Sequence, residues 1–111
     1  YKEMKRIDIK PISINKAYRG RRFATQELKQ FKRDVSLLLP KIKIPDGKLV
    51  VSYRFGFSSK ASDVDNGIKG FQDCIAEHYG FNDKKIYKLI VEKIDVEKGK
   101  EYIEFEITPF S

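Results

Sequence analysis

The chain has 111 residues, with 23 Lys and Arg against 16 Asp and Glu and a net charge of +7 at pH 7. This length fits one domain and excludes two, and a hydrophobic fraction of 41% is sufficient for a core. A single cysteine excludes an internal disulfide and favours a reducing compartment, while the lack of any apolar run near ~20 residues predicts a cytoplasmic protein without a membrane segment.

The charge is distributed unevenly along the chain. Residues 1–60 hold 16 Lys and Arg against 5 Asp and Glu, whereas residues 61–111 hold 7 against 11. A basic half of this kind supplies sequence-independent affinity for phosphates, and the acidic half could hold a metal ion. A soluble basic protein without a polyanionic partner has the same totals, so charge alone leaves that alternative open.

The N-terminal segment alternates between apolar and charged residues from Met4 to Lys10, which predicts a half-buried strand ending at Pro11. Residues 13–23 are then dense in cations, with two aromatic residues among them. We predict that this segment contacts DNA, because guanidinium groups pair with phosphates and an aromatic ring can stack on a base. A solvated basic loop is the alternative. The candidate DNA-binding residues are Asn15, Lys16, Arg19, Arg21 and Arg22.

The middle of the chain predicts a helix followed by a strand. Thr25 is a suitable N-cap for a helix that runs to Leu39 and is stopped by Pro40. Residues 49–58 then alternate strictly, which predicts a strand with one apolar face. Its aromatic residues resemble part of the base-stacking strand of RNA-recognition domains, but core packing explains them better. The inward residues of this strand are Leu49, Val51, Tyr53, Phe55 and Phe57.

The segment Asp63-Val64-Asp65-Asn66-Gly67-Ile68-Lys69 carries the strongest chemical pattern. It opens a predicted helix from about Asn66 to Tyr79, with Asp65 as the N-cap and Gly80 as a left-handed C-cap. Lys69 lies one turn after Asp65, so we expect its ammonium group to point back at the two aspartates.

These residue types suit metal-dependent chemistry on a phosphodiester. Carboxylate oxygens bind hard cations such as Mg²⁺, and a nearby lysine can neutralise charge on the reacting phosphoryl group. The alternative is purely structural: Asp65 only caps the helix, Asp63 only solvates a loop, and Lys69 only pairs with Asp65 or Asp73.

The C-terminal part predicts two further strands. Residues 85–96 are apolar on both faces, which indicates a central strand, and residues 101–108 alternate with Ile103, Phe105 and Ile107 inward. We predict that these two strands form an antiparallel hairpin. The element order β-α-β-α-β-β then gives a single α+β domain over residues 1–111, a four-stranded mixed sheet with two helices on one face. The other face is solvated, covered by loops, or buried in a dimer.

Three segments together resemble the RusA family of Holliday junction resolvases. Asp63 to Lys69 fits that family's D-x-D-N-x-x-K, Gly80-Phe81-Asn82-Asp83-Lys84-Lys85-Ile86 fits its later G-[FVI]-x-x-D-x-x-V, and Pro11-Ile12-Ser13-Ile14-Asn15 fits its P-x-S-x-N. Asn82 stands where many members carry a further acid, and Ser62 where many carry a basic residue.

The resemblance implies a function and a set of roles. It implies a homodimeric endonuclease dependent on Mg²⁺ or Mn²⁺ that nicks opposed strands of four-way DNA junctions, in recombination and repair, in a bacterial cell or encoded by a phage in a bacterial host. It also implies that Asp63, Asp65 and Asp83 are catalytic metal ligands and that Lys69 is the catalytic lysine.

Two other functions stay open on the residues alone. One is a non-catalytic nucleic-acid-binding module that uses the basic segment and the Tyr53 strand. The other is a metal nuclease that acts on other branched DNA, such as flaps or forks, or on RNA.

Overall fold

The computed structural model describes residues 4–13, 18–19 and 23–111, and for residues 18, 19, 23 and 24 it describes the backbone alone. It is a single α+β domain with a four-stranded mixed sheet and two α-helices. Within the described ranges neither helix is long and apolar enough to cross a membrane. The elements in chain order are β1 (Lys5–Ile7), β2 (Tyr18–Arg19), β3 (Phe23–Ala24), α1 (Gln26–Leu38), β4 (Leu49–Phe57), α2 (Ile68–Tyr79), a 3₁₀ turn (Asp83–Lys85), β5 (Ile86–Asp95) and β6 (Tyr102–Pro109).

Helix α1 begins where its sequence predicts and ends one residue before the predicted Leu39. The Thr25 hydroxyl oxygen accepts a hydrogen bond from the Leu28 backbone N–H at 3.2 Å, which satisfies one of the unpaired donors of the first turn. Leu28, Phe31 and Val35 are buried on one face. The helix ends at Leu38, ahead of Pro40.

Strand β4 forms the centre of the sheet and of the core. Its alternation is confirmed, because the side chains of Leu49, Val51, Tyr53, Phe55 and Phe57 are all buried. The rings of Tyr53 and Phe55 meet the ring of Phe71 in α2 edge-on, at centroid distances of 5.7 and 6.4 Å. The buried residues of both helices join the same cluster, so the two helices cover this face of the sheet.

The strand order is β1-β6-β4-β5, with β5 parallel to β4 and β6 antiparallel to both β4 and β1. The predicted hairpin between residues 85–96 and 101–108 is therefore wrong, since β4 lies between these two strands. Crossing to the far side of β4 buries Ile103 and Phe105 of β6 in the core and places β6 next to β1. Burial of apolar side chains is the main favourable term in folding, and β6 contributes two fully buried ones in this position.

The prediction that residues 85–96 form a central strand is also wrong, because β5 is an edge strand. Ile86 and Val91 pack partly against the core, but Tyr87, Leu89 and Ile90 stay exposed. The other edge, β1, is shorter than the predicted strand over residues 4–10. There the Ile9 N–H turns back to the Ile7 carbonyl at 3.1 Å, and the chain leaves the sheet.

The helix-free face of the sheet is polar. Arg54 of β4 donates to Glu92 of β5 at 2.7 Å and to Glu104 of β6 at 3.0 Å, and these hydrogen bonds raise the pKa of the Arg54 guanidinium. Arg6 of β1 lies over the ring of Tyr102 at 4.1 Å from the centroid. The alternation of β6 predicts that Tyr102 faces outward, opposite to Ile103; it lies on this helix-free face, where its ring is buried beneath Arg6 and against Gly56. This network favours a solvated face.

Gly56 tests how tightly Tyr102 is packed. A Cβ at this position would lie 2.6 Å from two ring carbons of Tyr102, so the ring would have to move. We expect Gly56→Ala to lower the free energy of unfolding by about 1–3 kcal/mol, because overpacking outweighs the ~0.5–1 kcal/mol that alanine regains in a strand. Urea unfolding measures this change. Ser52→Ala, four residues before Gly56 on the same face of β4, serves as the control and should change the free energy of unfolding by less than about 0.5 kcal/mol.

Candidate functional site

The segment between β4 and α2, residues 58–67 and called the acid loop below, carries Asp63 and Asp65 with both side chains exposed. Its end is a turn, in which the Asn66 N–H donates to the Asp63 carbonyl at 3.0 Å and the Ile68 N–H donates to the Asp65 carbonyl at 3.2 Å. The acid loop therefore presents two carboxylates, two residues apart, from a hydrogen-bonded segment at the end of the central strand.

The start of α2 differs from its prediction. The helix begins at Ile68 rather than Asn66, and Gly67 is the N-cap, without a side-chain hydrogen bond, so the assignment of Asp65 as N-cap is wrong. A Cβ at Gly67 would lie 3.3 Å from the ring of Phe57, so the turn packs closely on the end of β4 and the helix starts after it. The predicted end is confirmed, since Gly80 has φ 72° and the Phe81 N–H bonds back to the Ala76 carbonyl.

The acid loop is fixed by contacts that the sequence pattern did not indicate. The Lys93 ammonium of β5 donates to the carbonyls of Lys60 at 2.9 Å and Ser62 at 2.5 Å. At the start of the loop, the Ser58 hydroxyl donates to Glu101 at 2.6 Å, and this hydrogen bond lowers the pKa of the Glu101 carboxyl. Lys93 is one of two lysines in β5, and its position beside the acid loop becomes visible only through the parallel pairing of β4 and β5.

Lys69 lies on the exposed side of the first turn of α2. Its ammonium group forms an ion pair with Asp73, one turn further along the helix, at 3.5 Å. This contact is one of the structural alternatives considered from spacing alone. The pair is partly exposed, and ion pairs of this kind contribute little to stability.

Asp83 lies at the other end of the sheet from the acid loop. It opens the 3₁₀ turn that precedes Ile86, while the acid loop follows Phe57. Since β4 and β5 are parallel and Ile86 pairs with Leu49, the two sites are separated by the length of β4, roughly 26 Å for a nine-residue strand. Helix α2 carries the chain from one end to the other.

One protomer therefore does not bring Asp63, Asp65 and Asp83 together. Over residues 4–13, 18–19 and 23–111 the structure contains no group of three or more Asp, Glu, His or Cys side chains placed to hold a metal ion. The three predicted ligands do not fit one ion within a single chain. Asp63 and Asp65 fit as part of such a site, because both carboxylates lie on the same short loop and hard cations take oxygen ligands.

A cleft of about 640 Å³ borders the acid loop. Ser62 and Asn66 line one side, α1 lines another with Glu27 and Asp34, and residues 9–13 close it. The chain that leads into the predicted DNA-binding segment thus lies beside the acid loop. Asn15, Lys16, Arg21 and Arg22 lie outside the described residues, as does the side chain of Arg19, so the predicted DNA contacts stay a prediction.

The aromatic strand is not a base-stacking surface. Tyr53 and Phe55 are 1% and 0% exposed, and the Tyr53 hydroxyl donates to Gln72 of α2 at 3.0 Å. Burial raises the pKa of Tyr53 far above its usual value. The binding-module alternative therefore loses this strand and depends on the basic segment alone.

Comparison with known proteins identifies a family. A search of curated proteins finds no similar chain. A scan against protein-family models matches residues 9–108 to the family described as endodeoxyribonuclease RusA. The match includes both helices, strands β4 and β5, all but the last residue of β6, the acid loop and Asp83. Because it covers nearly all of the 111 residues, this chain belongs to the RusA family of endodeoxyribonucleases.

Proposed function

We propose that this protein is a divalent-metal-dependent endonuclease that resolves four-way DNA junctions by paired, symmetric nicks. The family match over residues 9–108 carries the proposal, since the RusA family implies Holliday-junction-resolving activity. The charge distribution supports it, because the basic first sixty residues suit binding to phosphates and the acidic remainder supplies metal ligands. Recombination and repair of DNA in a bacterial cytoplasm, with a bacterial or phage gene, is the setting that fits this activity.

The proposed cofactor is Mg²⁺ or Mn²⁺. When bound, such an ion polarises a phosphoryl oxygen and lowers the pKa of a bound water. Asp63 and Asp65 are the ligands we assign to the acid loop, and Lys93 holds that loop in place through two carbonyls. We assign to Lys69 the stabilisation of the negative charge that develops on the phosphate, once its ammonium group has left Asp73.

We assign the third ligand, Asp83, to the partner subunit of a homodimer. Within one chain it lies about a strand length from the acid loop, too far to share an ion with Asp63 and Asp65. A two-fold axis could bring Asp83 of the partner subunit to the acid loop and would create two equivalent sites. Two equivalent sites suit two symmetric nicks.

The DNA contacts are assigned to the basic segment. Asn15, Lys16, Arg19, Arg21 and Arg22 follow residues 9–13, which line the cleft beside the acid loop. Arginine pairs with phosphate through two parallel hydrogen bonds, so these residues suit recognition of backbone shape.

Cleavage of a substrate panel tests the proposal. End-labelled four-way junction, linear duplex, flap and fork DNA are incubated with the protein in Mg²⁺, in EDTA, and in EDTA followed by excess Mg²⁺. We expect symmetric nicks in the junction, none in the duplex, loss of cutting in EDTA and recovery with added metal. Preferred cutting of flaps or forks would make those structures, and not four-way junctions, the substrate. Junction binding without any cleavage would overturn the nuclease assignment.

A further inference from the structure

Strand β5 is an exposed edge with an apolar middle. It has ten residues and pairs on one side with β4, while on its other side no strand of the described chain pairs with it. Leu89 and Ile90 are 42% and 48% exposed. A long apolar edge of this kind is a template for pairing with another chain. The opposite edge of the sheet, β1, has only three residues.

The sequence of β5 is that of a buried strand. Apolar residues follow one another on both faces from Leu89 to Val91, which is typical of a strand with neighbours on both sides. In one protomer this pattern is unexplained, because those residues remain partly or largely exposed. A second copy paired along this edge would make β5 a central strand of an eight-stranded sheet.

We propose that two copies of this chain pair antiparallel along β5, about a two-fold axis at Ile90. The proposal rests on the homodimer of the proposed function and names its interface. An axis perpendicular to the sheet keeps the helices of both copies on the same face. It sets Ile90 against Ile90, Leu89 against Val91, and Lys88 against Glu92 of the partner subunit.

Charge selects this register over its neighbours. An axis at Lys88 or at Glu92 sets like charges directly against each other, and an axis at Leu89 or at Val91 sets a charged residue against Ile90. Of the five registers centred on residues 88 to 92, the Ile90 register alone pairs opposite charges and apolar residues together. Opposite charges across a strand pair stabilise it, and like charges destabilise it. The pairing of β5 with β4 shifts register between Leu49 and Val50, so the regular part of β5 begins at Lys88.

The antiparallel direction of this pairing also suits the proposed metal site, in which the acid loop of one subunit meets Asp83 of the partner subunit. Antiparallel pairing lays the start of one β5 beside the end of the other. The end of β5 is tied to the acid-loop end of β4, because the Val96 N–H donates to the Phe57 carbonyl at 3.0 Å. Asp83 of the partner subunit, just before its β5, thus approaches the end of the sheet from which the acid loop leaves.

Cysteine crosslinking without DNA tests the register. Under mild oxidation, Ile90→Cys should form a covalent dimer, because directly opposed residues lie about 4.5–5.5 Å apart between Cα atoms, within reach of a disulfide. Leu89→Cys is the matched control: two copies would lie roughly 8 Å apart and stay unlinked. The wild type, whose Cys74 is buried, should also stay unlinked. An Ile90→Cys protein that crosslinks no better than Leu89→Cys overturns the register.

Sedimentation equilibrium tests the charge pairing. Lys88→Glu places two like-charged pairs in each dimer and should weaken dimerisation roughly tenfold or more. Lys43→Glu, an exposed lysine before β4, changes the net charge equally and should leave the dimer unchanged. A monomeric wild type, or equal dimerisation of the Lys88→Glu and wild-type proteins, overturns the interface. Neither experiment reads cleavage, so a crosslinked dimer that cuts no junction would refute the proposed activity and leave the interface standing.

Discussion

Asp65→Asn protein is expected to nick four-way junctions at least about 100-fold more slowly than wild type at saturating Mg²⁺. A metal ion supplies several kcal/mol of transition-state stabilisation, and each 1.36 kcal/mol is tenfold in rate. The amide keeps the shape of the side chain but lacks the charge that binds a hard cation. The fold should not change, because the Asp65 carboxylate makes no capping bond to α2 and is exposed. Single-turnover cleavage of end-labelled junction measures the effect.

The control for this variant is Asp46→Asn. Asp46 is exposed in the bend before β4, at the opposite end of that strand from the acid loop. The same chemical change there should leave cleavage within about twofold of wild type, since substitutions of exposed residues far from a site have little effect. Junction binding by both variants, measured in EDTA, separates binding from cutting. An Asp65→Asn protein that binds and cuts at the wild-type rate would remove the acid loop from the mechanism.

A mixture of Asp65→Asn and Asp83→Asn proteins should recover cleavage that neither protein shows alone. In a mixed dimer one site lacks both carboxylates, while the other combines an intact acid loop with an intact Asp83 of the partner subunit. After random exchange of subunits half of the dimers are mixed, so about a quarter of the sites are restored. The recovered products should be single nicks. Nicking of a supercoiled cruciform plasmid, measured before and after subunit exchange, tests this expectation.

The mixture distinguishes two arrangements of the site. If all three aspartates acted within one chain, every site in a mixed dimer would lack one of them and mixing would restore nothing. If Asp83 had no part in cleavage, the Asp83→Asn protein alone would remain active. Tagged subunits, separated after mixing, establish that exchange has taken place, so an inactive mixture with proven exchange contradicts the shared site.

Local patterns predicted the parts of this fold that local physics determines. The strict alternation of β4, the Thr25 cap of α1 and the left-handed Gly80 were all predicted, because each depends on residues that are close in sequence. The start of α2 was not predicted. Asp65 is a better capping residue than Gly67, but the close packing of Gly67 on Phe57 decides where the helix begins.

Strand neighbours could not be predicted in the same way. The two apolar runs over residues 85–96 and 101–108 are separated by a short turn, which favours a hairpin. In the structure β6 pairs instead with β4 and β1 and its Ile103 and Phe105 are buried in the core, which is a long-range arrangement of the whole sheet. The apolar run of β5 indicates a central strand, which one copy of the chain cannot provide.

The candidate site was predicted as a set of residues and not as an arrangement. Spacing predicts that Asp63, Asp65 and Lys69 lie around one turn of chain; in the structure the two aspartates are exposed on the acid loop, and Lys69 lies in the first turn of α2 and pairs with Asp73. Asp83 follows one helix later in the sequence, and twelve helical residues extend roughly 18 Å. The distance between Asp83 and the acid loop follows from the parallel pairing of β4 and β5, which the sequence pattern did not reveal.

The strand order has a consequence for how the chain folds. Within the four-stranded sheet, no pairing joins strands linked by a short turn: β4 meets β5 across a helix, and β6 pairs with both β4 and β1. Loop-closure entropy must therefore be lost before any of these pairings forms, which slows folding. During synthesis the core around β4 can be completed only after β6, which follows the other three strands of the sheet in the chain, has left the ribosome. Until then only the two helices can cover the aromatic face of β4.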